Sequence, residues 1–437
     1  MASLASLVAD INQATPGSNP RLFASAGGCF WFVDEAPGES PGLWRADPAS
    51  GVVERVETAP GQGPWDPREL VAIDSTLFIR AYDASGWWSL FQVDASTPGA
   101  TASLVPGTAG TDPSGLTVLN GQLFYGAYAT DAGGGWLGRE LVKLDPPSGQ
   151  ITTYDLAPGG NDWSSPRALT PLNGRLFFLA DNPGTGTELW GFDPLNDSAP
   201  QLLRDIYPGW NSSSISNLTA SGGKLVFTAS DGSSDEELWQ SDGTPAGTQR
   251  LADINSNSYG SDPQRFVRSG GKLYFTAYTE ASGYELYRAD PASGTVQQLE
   301  IRPGPSDAYP GGNGGGFAEL NGTLYFSAYA DGSGWELWRV TPTGTPQRLD
   351  LGVYEAQPRE LVVVGDTLYF SASGQKGRGI DLSRSFSLGG QAVTIGFDFL
   401  RLDSWDNETL NLYLDGQVIA SIPFQVWTSG VNGASSG

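Results

Sequence analysis

Histidine is absent from all 437 residues of the sequence. Imidazole is the usual general base near neutral pH and the commonest zinc ligand. Its absence excludes Ser-His-Asp and Cys-His catalysis by residues of this chain. Chemistry by this chain is therefore restricted to paired carboxylates, a tyrosine or lysine base, or a metal held by oxygen ligands.

Cysteine is limited to Cys29, which excludes an intramolecular disulfide and a cysteine-cluster metal site. Cys29 lies in an alternating apolar stretch, and we expect it to be a small buried side chain on a strand. No apolar run is long enough to span a bilayer, so we expect no membrane insertion. The start, MASLASLVADINQ, lacks the basic region of a signal peptide.

Basic residues are scarce: 24 stand against 48 acidic ones, for a net charge of −24. Such a field repels nucleic acid and anionic membranes, so neither is an expected partner, and it attracts cations. Glycine (59) and proline (30) are abundant, and aromatic residues make up 11%. This composition is typical of a folded, turn-rich, all-β protein.

A unit of about fifty residues is repeated eight times. Each copy contains a leucine in a motif such as ELW or ELY, and these leucines are Leu43, Leu90, Leu141, Leu189, Leu238, Leu286, Leu337 and Leu382. Upstream lies an alternating apolar run, such as KLYFTAY at 272–278, which predicts a strand. Pairs such as Asn120-Gly121 precede most of these runs and predict type I′ hairpins with positive φ at both residues.

Each unit predicts four antiparallel strands in a meander. Stacked meanders bury their aromatic faces against one another, and a closed ring leaves no exposed end. We therefore expect an all-β fold, a β-propeller of about eight four-stranded blades over residues 1–386, with a partial β-rich segment at 387–437. ADIN occurs at 9–12 and again in a fourth strand at 252–255, so the N-terminal strand is predicted to close the ring. The alternative assigns the last strand to AVTIGFDF at 392–399.

The stretch ELWQSDGTPAGTQRLADI (237–254) resembles the ELWxxDGT-repeat family, large bacterial proteins of presumed propeller fold. The resemblance covers residues 1 to about 386. Units one to three depart from it, with Gly42 and Ser89 where the motif has glutamate, and Phe91 and Val142 where it has tryptophan. It implies a surface or secreted protein without an assigned activity. The C-terminal segment is loosely similar to jelly-roll or laminin-G-like modules.

Strand order predicts two faces of the disc. The turn face carries tight turns, whose aspartates are expected to form Asx turns (Asp47, Asp145, Asp193, Asp242 and Asp290). The loop face carries the loops between second and third strands and the connections between blades. Its loops open with acidic residues, of which the candidate metal ligands are Asp83, Asp131, Asp181, Asp231 and Asp331. Its inter-blade connections repeat an aromatic residue, giving the candidate ligand-binding set Trp65, Trp163, Trp210, Tyr259, Tyr309 and Tyr354.

Two functional interpretations follow, each beside a structural one. Carboxylates and carbonyls of the loops can bind Ca²⁺, and exposed rings can stack on sugars. The structural alternatives are solvated turns and rings wedged between blades. The DSWDNE loop at 403–408 is open to the same two interpretations, calcium or glycan contact against a solvated loop.

A second series of acids precedes the leucines: Glu140, Glu188, Glu237, Glu285 and Glu336. These can pair with arginines of the Pro-Arg type, such as Arg167 and Arg359. Units one and two keep the arginine, as Arg21 and Arg68, but lack the acid. That mismatch argues against one ion pair shared by all blades.

Together these features predict a non-catalytic binding or adhesion scaffold, extracellular or on the cell surface, with calcium as a stabilising ion and a glycan or surface polymer as partner. One alternative is a polysaccharide lyase or hydrolase that uses carboxylates or tyrosine. The other is a structural component of the cell envelope. The sequence leaves a cytoplasmic location open.

Overall fold

A computed structural model describes residues 20–34, 41–61, 66–159, 163–233, 236–256, 259–349, 351, 356–364, 367–372, 409–414 and 417–423. The predicted closing strand at 9–12, its alternative at 392–399 and the DSWDNE loop lie outside these residues. None of the described residues forms a helix with the length and hydropathy needed to cross a bilayer.

The protein is a β-propeller, as predicted. Seven antiparallel sheets contain four strands each, and their strands follow one another in chain order. We call these sheets blades one to seven. Blade eight is represented by two strands, and a further hairpin lies in the C-terminal segment. The first strands of consecutive blades, from one to eight, lie beside each other.

The strands of the first four blades are as follows. Blade one contains β1 (Arg21–Ala26), β2 (Cys29–Asp34), β3 (Gly42–Ala46) and β4 (Val53–Arg55). Blade two contains β5 (Glu69–Ile73), β6 (Thr76–Tyr82), β7 (Trp88–Asp94) and β8 (Ser103–Leu104). Blade three contains β9 (Ser114–Leu119), β10 (Gln122–Thr130), β11 (Trp136–Asp145) and β12 (Gln150–Tyr154). Blade four contains β13 (Arg167–Leu172), β14 (Arg175–Asn182), β15 (Gly186–Phe192) and β16 (Gln201–Arg204).

The remaining strands continue the same order. Blade five contains β17 (Ser216–Ser221), β18 (Lys224–Ala229), β19 (Glu237–Ser241) and β20 (Gln249–Ala252). Blade six contains β21 (Gln264–Ser269), β22 (Lys272–Thr279), β23 (Gly283–Asp290) and β24 (Thr295–Leu299). Blade seven contains β25 (Phe317–Leu320), β26 (Thr323–Ala330), β27 (Gly334–Val340) and β28 (Gln347–Leu349). Blade eight contains β29 (Arg359–Val364) and β30 (Thr367–Ser371), and the C-terminal hairpin contains β31 (Thr409–Leu414) and β32 (Gln417–Pro423).

Strand β22 shows why the blades stack. Its side chains alternate, so that Leu273 and Phe275 pack toward blade five while Tyr274 packs toward blade seven. All three side chains are fully buried. Burying one large apolar side chain contributes about 1.5–3 kcal/mol, so a blade with two apolar faces is stable only between two neighbours.

Seven apolar cores of this kind join each blade to the next, from blade one through blade eight. The two outward faces at the ends of this series differ. Phe23 and Phe30 of blade one are 70% and 55% exposed, and Val362 and Tyr369 of blade eight are 52% and 57% exposed. We call these two faces the seam.

The predicted Asx turns form at Asp47, Asp193, Asp242 and Asp290 but not at Asp145, because Pro147, two residues later, has no N–H. Asn120 and Gly121 both have positive φ, 51° and 75°, as a type I′ hairpin requires. On the turn face, Asp193 Oδ1 accepts the N–H of Leu195 at 3.0 Å, which is an Asx turn. Cys29 is buried, as expected.

The buried glutamates accept hydrogen bonds from backbone N–H groups. The carboxylate of Glu285 accepts the N–H groups of Ile301 and Arg302 at 2.8 and 2.9 Å. Glu140, Glu188 and Glu237 make the same type of contact with the connection that follows their own blade. We call this contact the glutamate clasp. Arg167 pairs instead with Asp181, so the clasp replaces the shared arginine pair that the sequence had allowed.

Candidate functional site

Three of the candidate metal ligands accept backbone N–H groups of their own loops, and two pair with arginines. Asp83 accepts hydrogen bonds from the N–H groups of Ser85 and Trp87, and Asp131 accepts those of Gly133 and Gly135. The other three candidates are likewise engaged, Asp181 by Arg167, Asp331 by Arg302 and Asp231 by the N–H of Ser233. Within the described part of the chain, no three acidic or cysteine side chains form a group that could hold a metal. Calcium binding stays a prediction, and these contacts show Asx-type turns and ion pairs at the positions proposed for it.

Four of the six candidate aromatics are exposed on the loop face. Trp163 and Tyr309 are both 49% exposed, Trp210 is 78% and Tyr259 is 72% exposed. Trp65 and Tyr354 lie outside the described residues. The sequence analysis missed two further rings on the same face, Trp87 and Trp136. We call this set the aromatic belt: Trp87, Trp136, Trp163, Trp210, Tyr259 and Tyr309.

Pairs of aromatic rings lie where the second and third strands of a blade reach the loop face, next to the aromatic belt. A tyrosine near the end of the second strand lies against an aromatic residue near the start of the third, and this occurs in blades two, three, six and seven. The pairs are Tyr82–Trp88, Tyr128–Trp136, Tyr278–Tyr284 and Tyr329–Trp335, with ring centroids 3.8, 5.6, 5.3 and 6.0 Å apart. Rigid strands therefore hold these rings in position at the loop face.

In blade six the pair forms part of a larger cluster. Tyr284 stacks on Tyr309 of the next connection, with centroids 5.9 Å apart. Tyr284 also separates two open pockets. The tyrosine pocket has a volume of about 400 Å³ and is lined by Tyr259, Gly260, Asp262, Tyr278, Glu280 and Tyr284. The second pocket has a volume of about 150 Å³ and is lined by Gln264, Arg265, Thr276, Tyr284, Tyr309 and Pro310.

Hydrogen bonds fix Tyr284 between two carboxylates. Its hydroxyl donates to Asp262 Oδ2 at 2.7 Å, and its backbone N–H donates to Asp307 Oδ1 at 2.8 Å. Gln264 Nε2 donates to the same oxygen of Asp262 at 2.9 Å. Burial, together with the neighbouring carboxylate of Asp262, raises the pKa of Tyr284, so the hydroxyl remains a donor at neutral pH.

The connection at 300–316, which carries Asp307 and Tyr309, is the longest between consecutive described blades. Its glycine-rich end is bound to its neighbours: Gly311 donates its N–H to the carbonyl of Ser327, and its own carbonyl accepts from Arg265. Tyr309 itself has a positive φ of 46°. This backbone is unfavourable for a bulky residue and costs on the order of 1–3 kcal/mol, which the surrounding contacts must offset.

Tyr259 and Tyr309 were predicted from the sequence, whereas the residues that join them, Tyr278, Tyr284 and Asp262, were not. In the repeat pattern Tyr278 and Tyr284 are strand residues and Asp262 is a loop residue, so the pattern does not distinguish them from their equivalents in other units. One signal was available, namely the long Pro- and Gly-rich connection at 300–316, which interrupts the repeat at this place.

The chain is similar to proteins of known structure. No family model matches the chain, and no curated protein is similar to it. A puromycin hydrolase structure is 16% identical over 79% of this chain and 56% of its own, with a TM-score of 0.40. A prolyl endopeptidase structure is 13% identical over 79% of this chain and 52% of its own, with a TM-score of 0.46. The β-propeller domain of the Trilobed protease from Pyrococcus furiosus is 11% identical over 76% of this chain and 98% of its own, with a TM-score of 0.38.

These comparisons correct the predicted function. The prediction of a non-catalytic, glycan-binding adhesion scaffold is wrong, because the similar propeller structures are those of hydrolases and peptidases. The chain spans just over half the length of the hydrolase and endopeptidase. The activities in these names are those of the similar proteins, and the likeness shows the fold of this chain alone.

Proposed function

We propose that the loop face of this propeller binds a peptide segment of a partner or substrate. The observation that carries the proposal is the aromatic belt, with its two pockets around Tyr284. Single exposed rings are ordinary on protein surfaces, whereas grouped rings with a polar rim mark an interaction site.

Four of the six rings of the belt lie in two groups on the loop face, Trp136 and Trp163 around Tyr128, and Tyr259 and Tyr309 around Tyr284. Trp136 and Trp163 both contact Tyr128, with centroids 5.6 and 5.7 Å from it. In the second group, Tyr309 and Tyr278 both contact Tyr284. Tyrosine and tryptophan supply large contact areas with few rotatable bonds, so they bind a flexible segment at low entropic cost.

Charge favours a peptide over an acidic polymer. The chain carries a net charge of −24, which repels anionic partners, and the tyrosine pocket adds Asp262 and Glu280. A peptide can present cationic and apolar groups a few residues apart, which matches carboxylates set among rings.

Selection from a random peptide library displayed on phage tests this proposal. We expect enrichment of a consensus sequence, with synthetic peptides of that sequence binding the full chain at micromolar Kd. Tyr309→Ala is expected to weaken binding about tenfold, because one well-packed interface ring contributes on the order of 1–2 kcal/mol.

Leu195→Ala is the matched control, since Leu195 is an exposed apolar side chain (76%) in a turn on the opposite face. It is expected to leave binding unchanged. Absence of any enriched consensus, or equal losses from Tyr309→Ala and Leu195→Ala, would contradict binding at the loop face.

A further inference from the structure

We propose that the tyrosine pocket binds the guanidinium or ammonium group of a basic side chain. This inference rests on the proposed function and names the chemistry of the peptide side chain. It is carried by a comparison between blades of this one molecule, in which equivalent positions are filled differently.

Three ring pairs are covered by an arginine, which comes from the same blade in blades two and three and from the connection after blade six in blade seven. The guanidinium carbon of Arg80 lies 4.2 Å from the ring centroid of Trp88 in blade two. Arg139 lies 5.4 Å from Tyr128 in blade three. Arg302 lies 4.8 Å from Tyr329 in blade seven. A cation at such a distance from an aromatic face is attracted by the ring quadrupole.

Blade six has the same ring pair without the arginine. Register shows the replacement: Arg80 pairs with Leu90 across its sheet, and Thr276 pairs with Leu286 at the same place in blade six. Among the described residues, no arginine lies over Tyr278 or Tyr284.

The acidic partner of the arginines is nevertheless retained at the corresponding junction, between blades five and six, where Thr228 of blade five takes the place of Arg80. Asp112 precedes Pro113 with a positive φ of 50°, and its carboxylate binds Arg80 and Arg139 at 2.7 and 3.0 Å. Asp262 precedes Pro263 with a positive φ of 44° and is the corresponding aspartate of blade six. Its neighbour at the position of Arg139 is Tyr284, since each directly precedes a clasp glutamate.

Blade six therefore keeps the aspartate and the rings but lacks the internal cation. None of the residues that line the tyrosine pocket is basic, and Glu280 adds a second carboxylate at its rim. The nearby Arg265 lines the second pocket, beyond Tyr284, and donates to the carbonyl of Gly311. A side chain from a bound peptide would supply the cation that Arg80 and Arg139 supply in blades two and three.

Calorimetric titration with matched peptides tests this inference. The probes are blocked nonapeptides of glycine and serine with a central Tyr-Xaa pair, where Xaa is arginine, lysine, citrulline or norleucine. Citrulline keeps the shape of arginine without its charge. We expect the arginine and lysine peptides to bind at least about ten times more tightly than the citrulline and norleucine peptides.

Three variants locate the effect. Glu280→Gln and Asp262→Asn are each expected to reduce the arginine-to-citrulline ratio at least about threefold. Tyr284→Arg, which copies blade three, should place an internal cation in the pocket and remove the preference. Asp94→Asn is the control, because it removes one charge from a turn on the opposite face while its amide oxygen can still accept the N–H of Ser96. It should leave the ratio unchanged.

The possible outcomes separate the two proposals. Equal binding of arginine and citrulline peptides by the native chain would overturn the cation pocket and leave peptide binding intact. Failure of every peptide to bind would overturn the cation pocket, whereas peptide binding as such is overturned only by a phage selection that enriches no consensus. If Asp262→Asn or Tyr284→Arg proves unstable in thermal melting, the exposed side chain of Glu280 still decides the matter through Glu280→Gln.

Discussion

At the scale of single residues, the carboxylate of Glu285 has the most demanding position. It is fully buried, and it accepts two backbone N–H groups at the start of the connection that carries Asp307 and Tyr309. Leaving a buried donor without an acceptor costs about 1–3 kcal/mol. One side chain of blade six thus holds the loop that walls the second pocket.

Replacing this carboxylate tests its role. Glu285→Ala is expected to lower the free energy of unfolding by about 2–4 kcal/mol, because two buried N–H groups lose their acceptor. Glu285→Gln, which keeps one acceptor oxygen, should lose roughly half as much. Urea unfolding measures both, with the exposed Glu280→Gln as a control expected to stay within about 0.5 kcal/mol of the native chain. Native-like stability of Glu285→Ala would contradict the clasp.

Residue-scale detail also marks the limit of the sequence analysis. The hairpin at Asn120-Gly121 and the alternation of Leu273, Tyr274 and Phe275 follow from local chemistry, so they could be predicted. The partners of Glu285 could not, because they are backbone groups of residues sixteen and seventeen positions later, and backbone groups leave no mark in the sequence. The pairing of Tyr284 with Asp262 depends on the way blade six meets its neighbouring connection, which a repeat pattern does not encode.

At the scale of structural elements, the clasps make the connections between blades sensitive to pH. Burial raises the pKa of Glu188 and of Glu285 to about 7, from an ordinary value of 4.5. It also raises the pKa of Glu140 and Glu237. The folded chain therefore holds more protons than the unfolded chain between pH 4.5 and about 7.

The free energy of unfolding should fall as the pH rises. The stabilisation that results from the raised pKa of Glu188 and Glu285 is fully present below pH 4.5, and it is lost as the pH rises through about 7. We expect the urea midpoint to fall between pH 5 and pH 7.5. Reduced net charge at low pH acts in the same direction, so the Glu188→Gln, Glu285→Gln double variant isolates the clasps and should show a shallower slope. An identical slope in the double variant would contradict titration of these groups.

The glycine-rich part of the connection at 300–316 is a second element under tight constraint. A Cβ added to Gly315 would lie 2.1 Å from Ser327 Oγ and 2.8 Å from the carbonyl oxygen of Pro358. Gly315→Ala therefore forces blades seven and eight apart locally, and we expect a loss of about 1–3 kcal/mol in the free energy of unfolding.

Thermal or urea unfolding would measure this loss. Gly184→Ala is the matched control, because its Cβ would come no closer than 3.4 Å to its nearest neighbour, Asn182 Oδ1. Similar stability of the two variants would show that the contact between Gly315 and Ser327 can relax without cost.

At the scale of the whole molecule, the seam divides the blades into two kinds. Within the described part of the chain, blades two to seven have an apolar core on both sides, whereas blades one and eight each have an outward face with exposed large side chains. Local opening is easiest where fewest apolar contacts must be broken. The ends of the blade series should therefore open before its middle.

Native-state hydrogen exchange followed by mass spectrometry measures this gradient. We expect amides of β2 and β30 to exchange at least about tenfold faster than those of β14, β18 and β22, with protection rising from the seam toward blades four and five. Uniform protection across all blades would show that the molecule opens as one unit.

In the four connections that have a clasp, the base of the loop is positioned independently of the residues further along it. Because the loop is fixed at its base by a buried carboxylate, residues further along can be exchanged without moving the point from which the loop departs. Blade six already illustrates this, with tyrosines and acids where its sister in blade three uses an arginine. The propeller is thus a natural framework for grafting: new side chains introduced beyond the clasp would inherit a defined starting geometry, and adjacent niches could be reprogrammed one at a time.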